Sequence, residues 1–179
     1  MSEAWWLPGA PGTRDVPWLH PAIVLYLDAL IQPHWTVLEH GSGGSTRWFA
    51  KRAQHVVSVE RDPAWQQVTE SQVDGDVVRF YNGTPETLVA EMPGTFDLML
   101  IDGARDERPA WCAVAGQLVR PGGIVVLDNS NRPEYTDARA ALQRIAEHGI
   151  VFATNPPGFR NAVTDMYRMK GGADDENWI

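Results

Sequence analysis

Apolar and polar positions change period several times along the chain, and each change predicts an element. Between residues 18 and 31, Leu19, Ile23, Leu27, Leu30 and Ile31 recur at helical spacing, with Pro21 tolerable in a first turn. Short apolar runs at 36–39, 55–60, 77–81, 96–101 and 124–127 read as strands. Helical stretches follow them at 45–52, 64–72, 85–91, 108–119 and 135–148. The run FDLMLI at 96–101 shows no alternation, as expected of a strand covered by helices on both faces. Pro121-Gly122-Gly123 predicts a turn, and 151–154 with 164–169 predict two closing strands around the loop NPPGFRNA.

Strands that alternate with helices imply an α/β domain with a mostly parallel sheet, and the closing pair implies an antiparallel C-terminal hairpin. The expected domain runs over 18–170, after an irregular arm at 1–17 rich in proline and glycine and before a frayed tail at 171–179. A length of 179 residues with 44% hydrophobic and 21% charged residues suits one globular domain. The net charge of −8 and a pI of about 5.0 count against nucleic acid as the main substrate, because such a field repels phosphate backbones. A single cysteine excludes an internal disulfide and a cysteine-rich zinc site. No membrane-length apolar run and no signal-peptide order are seen, so the expectation is a soluble, cytoplasmic protein.

In parallel sheets ligands bind beyond the carboxyl ends of the strands. The first strand runs into VLEHGSGGST, where Glu39, Gly41, Ser42, Gly43, Ser45 and Thr46 open a helix. The second ends in Glu60, suited to accept hydrogen bonds from both hydroxyls of a ribose. A tight turn and a solvated strand end would account for the same residues separately, but together they point to a nucleotide-like ligand. A dinucleotide fingerprint would need glycine where Thr46 stands. Glu39 instead suits a cofactor that carries an ammonium group.

The E-x-G-x-G-G-S-T run, the Glu60 strand end, FDLMLIDG and the PGG turn before IVVLDN occur in an order that resembles class I S-adenosylmethionine-dependent methyltransferases. The resemblance implies a Rossmann-like, doubly wound sheet of seven strands. It implies that Gly41, Ser42 and Gly43 line the methionine and ribose portion of S-adenosylmethionine, with Glu39 near its amino group and Glu60 on the ribose. Arg61 or Asp62 would border the adenine, with Asn82, Gly83 and Thr84 at its edge, and Asp102 would face the methyl-donor end. Trp65 is a candidate to flank the adenine or to pack the core.

Asp102 ends the fourth predicted strand and Asp128-Asn129 end the fifth, so two carboxylates and an amide oxygen converge. Such hard oxygen ligands suit Mg²⁺ or Ca²⁺. The set resembles the metal triad of catechol O-methyltransferases and their caffeoyl-coenzyme A relatives. In that subgroup a lysine base stands three places after the first aspartate; here Arg105 does, a poor base but able to orient an anion. The alternative makes Asp102 a cofactor acceptor and Asp128-Asn129 a loop cap. His20 is a further candidate base, or a capping residue. Arg132, Glu134 and Tyr135 are candidates for substrate contact. Asn155-Pro156-Pro157-Gly158-Phe159 is similar to an amino-methyltransferase motif but stands in the wrong place and reads as a hairpin loop.

The implied activity is O-methylation of a small molecule, with metal assistance. The competing readings are a cofactor-binding module without catalysis and a small nicotinamide oxidoreductase. Residues 1–35 are the candidate cover of the site, with Trp5 and Trp6 as an interaction surface and a homodimer partner as an alternative means of completing the pocket.

Overall fold

A computed structural model describes residues 15–153 and 163–171. The elements run α1 (Pro21–Leu30), β1 (Thr36–His40), α2 (Gly44–Ala50), β2 (His55–Val59), α3 (Pro63–Glu70), β3 (Val78–Phe80), α4 (Pro85–Glu91), β4 (Phe96–Ile101), α5 (Arg108–Leu118), β5 (Val119–Asp128), a 3-10 turn (Pro133–Tyr135), α6 (Thr136–Ile145), β6 (Ala146–Ala153) and β7 (Val163–Met169). The strands form one seven-stranded sheet in the order β3-β2-β1-β4-β5-β7-β6. The first five in that order are parallel, and β7 runs antiparallel to both β5 and β6. This is the Rossmann-like architecture the alternation implied. Among the described residues, no helix is long and apolar enough to cross a membrane.

Both faces of the sheet are covered, which explains why β4 lacks alternation. Met99 and Ile101 face one apolar cluster with Leu88, Trp111, Leu118 and Leu142 of α4, α5 and α6. Leu98 and Leu100 face a second cluster with Ile23, Leu27, Trp48 and Phe49 of α1 and α2. All six β4 side chains are buried. Five tryptophans are described: Trp35, Trp48 and Trp111 are core, Trp65 is half-buried and Trp18 exposed. Trp5, Trp6, Trp178 and the NPPGF segment lie outside the described residues.

Two boundaries differ from the sequence reading. Ala138, Leu142 and Ala146 continue a helical spacing and are all buried, which extends the predicted helix to 148. The chain leaves the helix at Ile145, however, and β6 starts at Ala146 to pair with β7 along its whole length. Gly149 lies against the Tyr167 ring, where an added Cβ would come within 3.2 Å. The second difference is at Pro121-Gly122-Gly123. The register with β4 jumps from Phe96↔Val119 to Leu98↔Ile124, so the predicted turn is a bulge inside one long β5.

Candidate active site

The site lies where the strand order departs from the chain order, between β1 and β4. Their following loops touch: Gly41 has φ +96°, and a Cβ there would fall 2.5 Å from the Gly103 Cα. Only glycine fits on either count. The Gly41 amide donates to Val59 O (2.8 Å) and the Asp102 amide to His40 O (2.9 Å), which fixes both loops to the sheet.

Beneath this turn sits Glu39, fully buried at the end of β1. Its Oε2 accepts from the hydroxyls of Thr46 (2.5 Å) and Ser58 (3.1 Å). Its Oε1 is buried and has no hydrogen-bond partner among the described residues. Burial pushes the carboxyl up to about 7, against the lowering effect of the Ser45, Thr46 and Ser58 hydroxyls. Thr46 also accepts from the Gly43 amide (2.8 Å), so one hydroxyl both caps α2 and holds Glu39.

Glu60 follows β2. Its Oε2 accepts from the Ser42 amide (2.9 Å) and hydroxyl (3.2 Å), and its Oε1 from the Asp62 amide (2.9 Å). It lines a cavity of about 360 Å³ together with Arg61, Asn82, Gly83, Thr84 and, from α5, Glu107 and Trp111. Glu60, Arg61, Gly83 and Thr84 are thus brought together, as their places after β2 and β3 require. A Cβ on Gly83 would lie 2.5 Å from the Tyr81 ring. The Thr84 hydroxyl is spent on α4, where it accepts from the Thr87 amide. Trp65 does not join the cavity wall; its indole N–H donates to Ser42 O (2.8 Å) and braces the glycine turn.

Glu107 and Trp111 were not singled out from sequence. Their spacing of one helical turn directly after a strand end was the available signal. Trp111 stacks on His40, with ring centroids 5.2 Å apart, and His40 Nε2 donates to Glu107 (3.1 Å). Burial holds the imidazole below its ordinary range, and its buried Nδ1 has no partner among the described residues. Arg61 reaches Asp106 (2.9 Å) and Glu107 (3.5 Å) across the cavity mouth.

At the other end of the site, Asp102, Asp128 and Asn129 converge as the parallel ends of β4 and β5 predict. The two carboxyl groups face each other closely enough to titrate as a pair. Burial first, then the Asp128 charge, raises Asp102 well above the usual carboxylate range, with Arg108 opposing. Burial also raises Asp128, which accepts from the Thr164 hydroxyl (2.7 Å). About a quarter of Asp102 remains open, its side chain 28% exposed. Asn129 sits at φ +50°.

The cation beside Asp102 is Arg108, not Arg105. The Arg105 guanidinium is 65% exposed and pairs with Glu134, because its position on the loop before α5 points it to the rim. Tyr135 is fully buried and donates to Arg105 O (3.1 Å), so it serves the loop and not the surface. His20 caps α1: its Nδ1 accepts from the Ala22 amide (3.2 Å). Burial lowers its pKa, with Asp128 opposing. With Nδ1 accepting, the neutral ring carries its proton on Nε2.

Known proteins resemble this chain in sequence and in fold. A catechol O-methyltransferase of Mycobacterium tuberculosis is 31% identical over 138 residues, covering 66% of this chain and 63% of that protein. The chain therefore matches somewhat less than two thirds of that relative's length. An O-methyltransferase from Bacillus cereus, solved in complex with SAH, superimposes with a TM-score of 0.65 at 22% identity, over 85% of this chain and 82% of that one. The O-methyltransferase TomG of Streptomyces achromogenes, solved with SAM, gives 0.60 at 22% identity, over 83% and 78%. At such identity the structures establish the fold alone. The methyltransferase domain family matches residues 38–130, more than half of the chain and the whole stretch from Glu39 to Asn129, and the chain belongs to that family.

Proposed function

We propose that the chain transfers the methyl group of S-adenosylmethionine to a hydroxyl oxygen of a small molecule. The observation that supports this reading is the Glu39 carboxyl: a buried oxygen with no partner among the described residues, beneath a glycine turn, suits the ammonium group of a bound cofactor. Glu39 with Gly41–Gly43 would hold the amino-acid end of the cofactor, Glu60 its ribose, and Arg61, Gly83 and Trp111 its base. Bound there, the cofactor supplies a methyl group already activated on a sulfonium, so catalysis is mainly the positioning of the acceptor.

The residues of this chain supply what a hydroxyl nucleophile lacks. Asp102 is open on one side and lies beside Asp128 on the other. The acceptor's proton passes to the Asp102–Asp128 pair, and Arg108 offsets the charge. A divalent ion does not fit as the residues stand. Asp102 Oδ1 is bound by Arg108 (2.8 Å), Asp128 Oδ1 by Thr164, and Asn129 Oδ1 faces Arg108 at 3.4 Å.

Calorimetric titration with S-adenosylmethionine and S-adenosylhomocysteine tests the cofactor. Micromolar binding that Glu60→Ala weakens at least tenfold is expected, and no binding of either ligand overturns the proposal. Screening hydroxylated acceptors for methylated product then separates an enzyme from a binding module.

A further inference from the structure

Arg108 is the first residue of α5 and has only 6% of its side chain exposed. Side chains of a helix lean toward its N-terminus, which aims this one back at the strand ends. Its Nε donates to Gly103 O (2.9 Å), and its Nη2 to Asp102 O (2.7 Å) and Asp102 Oδ1 (2.8 Å). Its Nη1 donates to Asp128 O (2.8 Å) and reaches Asn129 Oδ1 at 3.4 Å. One guanidinium thus binds oxygens at the ends of both β4 and β5. These include two of the three side chains that converge there in the manner of a divalent-cation site. Arginine does not lose its proton, so the positive charge is permanent. A divalent ion on Asp102 Oδ1 would displace a hydrogen bond and stand beside a fixed charge of the same sign, buried where screening is weak.

We propose that Arg108 is the resident cation of this site, standing where a divalent ion would and making the protein independent of one. It is a positioning residue. It fixes the Asp102 carboxyl and the Asn129 side chain against each other, so that the acceptor meets a set geometry. The inference rests on the methyl-transfer reading only for the meaning of that geometry. The occupancy itself can be tested without cofactor or acceptor.

The test is Mn²⁺ binding by the full chain, read from the electron paramagnetic resonance signal of free Mn²⁺ at concentrations up to a millimolar. The wild type leaves the signal unchanged. Arg108→Gln, checked for fold by circular dichroism, takes up one Mn²⁺, and the added change Asp128→Asn removes that binding. Arg108→Lys keeps the charge and excludes the ion. One tightly bound Mn²⁺ in the wild type, lost in Asp128→Asn, overturns the proposal, and this comparison needs no Arg108 variant to fold. A folded Arg108→Gln protein that binds no Mn²⁺ also overturns it, because Arg108 would then be structural only. A cofactor that fails to bind in the earlier titration leaves these readouts intact, so the two readings fail separately.

Discussion

Glu39 is the residue whose chemistry reaches furthest beyond its own position. Burial pushes its carboxyl up to about 7 from an ordinary glutamate value of about 4.5, so between those values the folded protein holds a proton that the unfolded chain releases. The free protein therefore loses stability as pH rises from about 4.5 to about 7 and gains nothing back above it. Glu39→Gln removes this ionisation. Its melting temperature relative to wild type should climb across that window and then level off, as thermal denaturation at a series of pH values will show. The same variant should bind S-adenosylmethionine more weakly. Wild-type binding at pH 6 should release a proton, seen as a buffer-dependent calorimetric heat. Gly41 is constrained differently. Alanine there meets both a positive φ and the Gly103 backbone, so Gly41→Ala should cost about 1–3 kcal/mol in urea denaturation. Both residues were legible in the sequence because an acid before a glycine run has few other uses. Arg108 was not, because it stands in the string Arg105-Asp106-Glu107-Arg108, which composition alone reads as a solvated rim. Burial, which sequence does not display, separates its last member from the others.

Elements were easier to read than their ends. Strands β1 to β5 and the helices between them followed from the alternation of short apolar runs with amphipathic ones, since each pattern admits one period. The α6–β6 junction did not, because Ala146 satisfies the helical stripe and the start of a strand equally well. What decides it is pairing with β7, a partner distant in sequence. That partner also carries the polar network that steadies the site from behind. Asp165 on β7 is fully buried and accepts from Ser130 (2.6 Å), Arg139 (2.7 Å) and Tyr167 (2.7 Å), so it joins the loop after β5, helix α6 and its own strand. Arg139→Ala would leave that carboxylate buried without its cation and should cost about 3 kcal/mol. Tyr167→Phe removes one hydrogen bond and should cost about 1 kcal/mol. Urea unfolding of both variants checks the ranking. Equal losses would mean that the ion pair contributes no more than a neutral contact.

At the scale of the whole molecule, a bound cofactor would touch the segments that follow three neighbouring strands and the start of one helix. The glycine turn follows β1, Glu60 follows β2, Gly83 follows β3, and Glu107 and Trp111 belong to the start of α5. In the free protein these are joined by Ser42 with Glu60, by His40 with Glu107 and Trp111, and by Arg61 with Asp106 and Glu107, the last being exposed pairs of the kind that contribute little in water. A ligand that fills the cavity bridges all four. Mass action gives the size of its effect: at one hundred times its dissociation constant a ligand stabilises the native state by about 2.7 kcal/mol. For a chain of this length each kilocalorie moves the melting temperature by about 2–4 °C. S-adenosylhomocysteine at that concentration should therefore raise the wild-type melting temperature by about 5–10 °C. Trp111→Ala weakens the wall contributed by α5, and Glu60→Ala removes the proposed ribose acceptor, so each should lose most of the rise at the same ligand concentration. ATP shares the adenosine but lacks the ammonium group that we propose Glu39 receives, and its phosphates meet an acidic protein, so it should produce no comparable shift. A rise with ATP as large as with S-adenosylhomocysteine would mean that the cavity recognises adenosine alone, and would remove Glu39 from the account of specificity.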